Sequence, residues 1–185
     1  MPTRRDFLMG CSAAIAAMSG GQLSSLALAE PGSEGELLVV VFLRGGWDTH
    51  QWQGDGGKGY LADLLKQLGA GLAAFYADLE NDHNNYAKRL TVVVMSEFGR
   101  RLNQNASGGT DHGHGSAMLV LGGAVNGGKL YGKWPGLAPE QLYDRADLAV
   151  TTDYRQVLSD ILSHRFGVTE GIFPGFKASG ALEIV

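Results

Sequence analysis

Two uninterrupted apolar runs constrain the fold of this 185-residue chain more than any other feature of its sequence. Residues 37–43 (LLVVVFL) and 90–95 (LTVVVM) are rich in β-branched side chains and contain no charge. Such runs are typical of strands buried on both faces of a parallel sheet. Between them, residues 60–80 repeat apolar side chains at spacings of three and four, which predicts an amphipathic helix. The order strand, helix, strand favours an α/β fold.

The rest of the chain continues this alternation. Residues 117–121 predict a third strand, and residues 153–166 predict a last helix with Thr152 or Asp153 as its N-cap and Gly167 as its C-terminal cap. We therefore expect a mainly parallel sheet flanked by helices. Because sheets usually have about 4–6 strands, three predicted strands indicate an incomplete fold.

Composition excludes several classes of protein. Hydrophobic residues make up 44% of the chain, which excludes a disordered acidic or basic tail. A single cysteine excludes a disulfide scaffold. The formal charge is −4, and Lys and Arg do not cluster beyond the N-terminus. Nucleic acid is therefore not expected as a partner, since phosphate neutralisation needs a basic face.

Residues 1–29 carry the features of an export signal. Paired Arg4 and Arg5 precede a weakly apolar run, and Ala27-Leu28-Ala29 has the small-x-small pattern that signal peptidase accepts. This resembles a twin-arginine (Tat) signal, which implies the Tat translocation machinery as a partner and a periplasmic or secreted product. An amphipathic first helix is the alternative. Serines and glycines interrupt the run, so no stable membrane span is expected in the mature form. We divide the chain into this signal and a single domain, residues 30–185.

Two loops, which follow the first two predicted strands, hold most of the chemically versatile side chains. Ligand sites of open α/β sheets lie at the C-terminal ends of such strands. Carboxylates and imidazoles together are the ligand set of zinc and manganese hydrolases, and glycines between them let the chain turn tightly. We therefore predict a divalent metal site, with Zn²⁺ expected first and Mn²⁺ or Ca²⁺ as alternatives. The candidate ligands are Asp48, His50, Glu97, Asp111, His112 and His114.

Spacing suggests how these ligands are arranged. In an extended segment, Asp48 and His50 point to the same side, as do His112 and His114. Asp111 then points to the other side, where a carboxylate can orient a ligand histidine.

The neighbouring arginines suggest a substrate contact. Arg100 or Arg101 is suited to bind an anionic substrate oxygen by a bidentate contact. Two simpler interpretations stand beside the metal site: Asp48 caps a turn, and Glu97 pairs with Arg100. A Ser-His-Asp hydrolase is disfavoured, because Ser96 lacks the G-x-S-x-G elbow.

Several motifs occur together along residues 36–166: LRGG, GGWDTH, SEFGRR, N-x-x-GGTDHGHG, GG-x-V-x-GG-x-x-YG-x-WP and TTDYR. With the initial RRDFL, they resemble the family called domain of unknown function 1501. The resemblance implies an alkaline-phosphatase-like α/β fold and a metal-dependent hydrolase of the alkaline phosphatase/sulfatase type. A small anionic phosphate or sulfate ester would be the substrate.

The same resemblance suggests individual roles. Asp48 and His50 resemble the Asp and His that precede a central strand in that superfamily. Glu97 stands where the superfamily often has an Asp-His pair, and Phe98 follows it in place of the imidazole. His112 or His114 resembles the later metal histidine.

One departure from the family pattern affects the expected activity. LRGG and GGWDTH share Gly45-Gly46 here, whereas in the family a long segment separates these motifs. The fusion resembles an internal deletion that removes the nucleophile region. Thr49, Ser96 and Thr110 are hydroxyls nearby, and nothing in the sequence distinguishes them. The alternatives to an exported hydrolase are therefore a non-catalytic exported binding protein and a truncated remnant that does not fold stably alone.

Overall fold

The computed structural model describes residues 23–29, 35–43, 47–81 and 85–185, and for residues 23–29 it describes the backbone alone. The twin arginines, the Gly45-Gly46 junction and the first part of the expected signal lie outside the described residues. Among those described, no helix is both long and apolar enough to cross a membrane.

A four-stranded mixed sheet forms the centre of the described fold. Its strands are β1 (Leu23–Ala29), β2 (Leu37–Leu43), β3 (Leu90–Met95) and, after two short strands introduced below, β6 (Leu119–Gly122), in the order β1-β2-β3-β6. The predictions for β2 and β3 are confirmed, and β6 begins two residues later than the predicted strand.

The sheet is mixed rather than mainly parallel, which corrects the sequence prediction. Only β2 and β3 are parallel, while β1–β2 and β3–β6 are antiparallel. Parallel neighbours need a long crossover connection, usually a helix. Such a helix lies between β2 and β3, whereas only residues 30–36 separate β1 from β2, and residues 96–118 contain no helix.

Strand β1 falls within the segment assigned to the export signal. Its backbone pairs with the whole of β2, from Leu23 opposite Leu43 to Ala29 opposite Leu37. Cleavage after Ala29 would therefore remove the edge partner of β2. The division of the chain at this residue stays a prediction.

Within the described ranges, three α-helices accompany the sheet: α1 (Tyr60–Glu80), the single turn α2 (Tyr86–Arg89) and α3 (Tyr154–Phe166). The predictions of α1 and α3 are confirmed. The Asp153 side chain caps α3 by accepting from the Arg155 backbone N–H, and Gly167 ends it with a left-handed φ of 67°. Helix α2 was not predicted from the sequence, since four residues are too few to show a helical period.

The helices cover opposite faces of the sheet. Alternate residues of β2 and β3 pack against Phe75 and Leu79 of α1 on one face. On the other face, Leu38 and Val93 pack against Val157 and Ile161 of α3. Because both faces are covered, β2 and β3 are almost entirely buried, as their apolar runs predict.

Candidate metal centre

Three loop segments meet beyond the ends of β2 and β3. Residues 47–53 follow β2. The other two segments, around Gly99–Arg100 and around Gly108–Gly113, follow β3. Strand β4 (Gly99–Arg100) pairs antiparallel with β5 (His112–Gly113), and Gln51 forms a bridge with Gly108. The two loops that the sequence places at neighbouring strand ends therefore converge.

Two glycines make this convergence possible. A Cβ on Gly109 would lie 2.3 Å from the carbonyl carbon of His50 and from the carbonyl oxygen of Thr49. A Cβ on Gly113 would lie 2.4 Å from the carbonyl carbon of Arg100. Any side chain at either position would push the segments apart, so the glycines are required for close backbone approach.

Three ligand atoms converge between these segments. The Asp48 Oδ1 atom lies 2.9 Å from His50 Nε2 and 3.0 Å from His112 Nε2. One ligand atom from each residue lies within 4.8 Å of the others, and all three residues are exposed. Two imidazoles and one carboxylate match the donor chemistry of a zinc site that keeps an open position for water or substrate. The residues therefore fit a divalent ion.

Asp111 lies behind His50, on the side away from Asp48. Its Oδ1 atom is 3.0 Å from His50 Nδ1 and accepts a hydrogen bond of 2.9 Å from Asn105 Nδ2. The Asn105 hydrogen bond, and then that of His50, holds the pKa of the Asp111 carboxyl below its usual value. A carboxylate on the second nitrogen of a metal-ligating histidine fixes its tautomer and ring orientation.

The second histidine is oriented by an aromatic contact. The rings of Phe98 and His112 stack with centroids 3.9 Å apart and an interplanar angle of 11°. The guanidinium carbon of Arg100 lies 5.1 Å from the centroid of the Phe98 ring. Phe98 therefore supports a candidate ligand.

Arg100 ties the converging loops together. Its guanidinium donates to the backbone carbonyl of Thr110 at 2.6 Å and to that of Trp47. The same group lies 3.6 Å from Asp48 Oδ1. Partial burial lowers the pKa of Arg100, and the attraction of Asp48 opposes this shift. The guanidinium therefore binds two backbone carbonyls and also lies against the Asp48 carboxylate.

The other sequence candidates lie apart from the converging ligand atoms. Neither Glu97 nor His114 belongs to the ligand group found among the described residues. Glu97 is exposed beyond β3. The His114 ring stacks on Tyr143 with centroids 3.9 Å apart. Arg101, the alternative anion binder, faces Asp147 at 3.6 Å.

The three candidate hydroxyls all have side-chain partners. Thr49 Oγ1 and Thr110 Oγ1 both donate to Gln53 Oε1, at 3.1 and 2.8 Å, and the Ser96 hydroxyl donates to Glu97 at 3.4 Å. Gln53 ties the first loop to the second and was not among the residues predicted from the sequence. A glutamine shows no local pattern that reveals a partner far along the chain.

The family comparison agrees with the motifs. The family model described as "Protein of unknown function (DUF1501)" matches residues 14–173, so the chain belongs to this family. Neither a curated protein nor a solved structure matches the chain.

Proposed function

We propose that this DUF1501 chain is an exported, metal-dependent hydrolase of the alkaline phosphatase/sulfatase type, acting on phosphate or sulfate esters. The observation that carries the proposal is the convergence of Asp48, His50 and His112 at the ends of β2 and β3. Three protein ligands and an open side are typical of catalytic rather than structural zinc sites. The fold proposed with this function is the alkaline-phosphatase-like one, and the mixed α/β sheet is compatible with it.

The ligand set favours Zn²⁺, with Mn²⁺ as the next choice and Ca²⁺ after it. Imidazole nitrogen suits zinc, whereas calcium takes six to eight oxygen ligands. An ion held there would polarise an ester oxygen, and Zn²⁺ would lower the pKa of a bound water to about 7.

The chain's own residues supply orientation and charge. Asp48, His50 and His112 would hold the ion, and Arg100 is the residue that we assign to the anionic ester oxygens. Because Thr49 Oγ1, Thr110 Oγ1 and the Ser96 hydroxyl have side-chain partners, we assign the attack to water rather than to a side chain. The water oxygen bonds to phosphorus or sulfur, the ester bond to that atom breaks, and the alcohol leaves with a proton.

Metal analysis and turnover assays test the proposal. The purified chain should bind about one equivalent of Zn²⁺ and hydrolyse an aryl phosphate or an aryl sulfate. His112→Ala should abolish both properties, whereas His164→Ala, at an exposed histidine of α3 outside the ligand group, should leave both unchanged. A chain that binds no ion, or turnover that His112→Ala leaves intact, would contradict the proposal.

A non-catalytic exported binding protein is the second candidate. The hydroxyls of Thr49, Ser96 and Thr110 all have partners within the protein, which favours this candidate. A family member that lost its nucleophile would keep the fold but not the reaction. Stoichiometric zinc binding without phosphatase or sulfatase turnover would support this candidate. If the chain is instead a truncated remnant that does not fold stably alone, it should show no cooperative thermal transition.

Export is proposed from the N-terminal sequence. Replacing both arginines (Arg4→Lys with Arg5→Lys) should leave the chain uncut and inside the cell, since the Tat machinery reads the pair. N-terminal sequencing of the exported product should begin at Glu30. An exported double variant, or a mature product that retains Leu23–Ala29, would contradict the assignment.

A further inference from the structure

One asparagine side chain uses all of its hydrogen-bonding groups to organise the candidate metal centre. Asn105 Oδ1 accepts from the backbone N–H groups of Ser107 at 2.9 Å and Gly109 at 3.1 Å. Asn105 Nδ2 donates to the carbonyl oxygen of His50 at 2.8 Å and to Asp111 Oδ1 at 2.9 Å. The amide therefore joins both site loops through four hydrogen bonds, which is its full capacity with two donor hydrogens and two acceptor positions.

These partners fix the orientation of the amide. Backbone N–H groups can only donate, so the oxygen of Asn105 must face Ser107 and Gly109. The nitrogen must then face His50 and Asp111, whose oxygens accept. An aspartate has the same shape but has no donor for the second pair, so only the amide satisfies both sides.

Asp111, which the Asn105 amide contacts, in turn contacts His50. An ionised carboxylate only accepts hydrogen bonds, so the Asp111 contact at 3.0 Å requires a hydrogen on His50 Nδ1. In the neutral ring, the lone pair then lies on Nε2, which faces Asp48 Oδ1 at 2.9 Å. The lone pair of His50 Nε2 and the Asp48 oxygen face each other at this distance and are suited to bind one cation together.

We propose that Asn105 is a positioning residue that acts through Asp111 to hold His50 in the tautomer whose Nε2 is free to bind the ion. This inference rests on the proposed metal centre. Asn105 itself has no contact with the converging ligand atoms of Asp48 or His112. Its amide holds the Asp111 carboxylate against Nδ1, and its bond to the His50 carbonyl fixes the backbone from which the ring extends.

Asn105→Asp separates this positioning role from the hydrogen bonds that Asn105 makes to the loop backbone at Ser107 and Gly109. The variant keeps an oxygen for the N–H groups of Ser107 and Gly109, but it sets a carboxylate against Asp111 and the His50 carbonyl. We expect Zn²⁺ affinity, measured by calorimetry, to fall about 10-fold, the lower end of what outer hydrogen-bond partners of metal ligands contribute. Added negative charge alone would strengthen cation binding, so a loss cannot be a charge effect. Asn103→Asp, the same change at an exposed position of the same loop, is the matched control.

Nitrogen NMR of the metal-free protein gives a readout that loop structure alone would not move. At about pH 8.5, where imidazole is neutral, His50 should carry its hydrogen on Nδ1 in the original chain and in Asn103→Asp. In Asn105→Asp, the population should move toward the form with hydrogen on Nε2. In an Asp111→Ala background, Asn105→Asp should cause no further change in the tautomer, because the carboxylate through which Asn105 acts is absent.

The outcomes separate this inference from the proposed function. If the original chain binds no metal, the proposed function fails, while a tautomer change in Asn105→Asp still supports the positioning role. If the original chain binds Zn²⁺ and Asn105→Asp changes neither its affinity nor the His50 tautomer, the positioning role is overturned and the metal centre stands. A further tautomer change caused by Asn105→Asp in the Asp111→Ala background would also overturn action through Asp111.

Discussion

Asp160 and Asp48 are the same residue type in two opposite environments. Asp160 lies on α3 with its side chain 1% exposed, and its oxygens accept from the backbone N–H groups of Leu182 and Ile184 at 2.8 and 3.1 Å. Asp48 has a side chain that is 39% exposed, and its Oδ1 atom faces His50, His112 and Arg100.

The two environments indicate different roles, in stability for Asp160 and in function for Asp48. A buried carboxylate bound to backbone donors holds a chain segment in place, and removing it leaves those donors unsatisfied. An exposed carboxylate that faces two ring nitrogens gains little stability from them. In the proposed metal centre, its role would be to share one ion with the two rings. Variants at the two positions should therefore change different properties of the protein.

The largest effect is expected from Asp160→Ala. It leaves the N–H groups of Leu182 and Ile184 without acceptors in a buried region, at about 1–3 kcal/mol each, so the free energy of unfolding should fall by about 4 kcal/mol. Urea denaturation measures this loss. Zn²⁺ affinity of the folded fraction should not change. A loss below about 1 kcal/mol in the free energy of unfolding would show that Asp160 stabilises the fold no more than an exposed aspartate does. The contrast between Asp160 and Asp48 would then not hold.

Asp48→Ala should show the reverse pattern. Loss of a ligand should weaken Zn²⁺ binding by about 100-fold, equal to roughly 2.7 kcal/mol, while the free energy of unfolding of the metal-free protein changes by less than about 1 kcal/mol. Calorimetry and urea denaturation measure the two quantities. Asp78→Ala, at an exposed aspartate of α1, controls for the loss of charge. Equal affinity in both variants would show that Asp48 is not a ligand.

The fold was predictable where one local pattern was sufficient. The runs in β2 and β3, the periodicity of α1 and the caps of α3 are confirmed because each depends on neighbours along the chain. The direction of β6 and the pairing of β1 were not predicted, because each depends on which remote strand lies beside it. A mainly parallel sheet was therefore expected where the sheet is mixed.

The candidate site follows the same rule. Spacing along two loops brought Asp48, His50 and His112 into one hypothesis, and the structure brings their ligand atoms together. Spacing also included His114, but β5 ends at Gly113, so the alternation of an extended strand does not continue to His114. Asn105 received no role, since its four partners are backbone groups and a carboxylate that only the folded loops bring near it.

Gly109→Ala should damage the site through its backbone. Its Cβ would lie 2.3 Å from the carbonyl carbon of His50, and relieving such overlap costs about 1–3 kcal/mol. Unfolding free energy and Zn²⁺ affinity should both fall, since His50 moves with its backbone. Gly69→Ala is the matched control, because its Cβ would meet nothing within 4 Å on α1 and should stabilise the helix by roughly 1 kcal/mol. If both variants are stabilised, close approach of the loops is not required.

The smallest effect is expected from Phe98→Leu. Without the stacked ring, His112 is free to rotate away from Asp48, and Zn²⁺ affinity should fall about 5-fold, since aromatic stacking contributes roughly 1 kcal/mol. Phe98→Tyr should retain the affinity, because it keeps the ring.

Tyr143→Leu sharpens this comparison, because Tyr143 stacks on His114 at the same 3.9 Å centroid distance as Phe98 on His112. If His112 is a ligand and His114 is not, only Phe98→Leu weakens metal binding. Equal losses would instead place His114 in the centre, as the sequence spacing suggests. A loss in Tyr143→Leu alone would reassign the later metal histidine from His112 to His114.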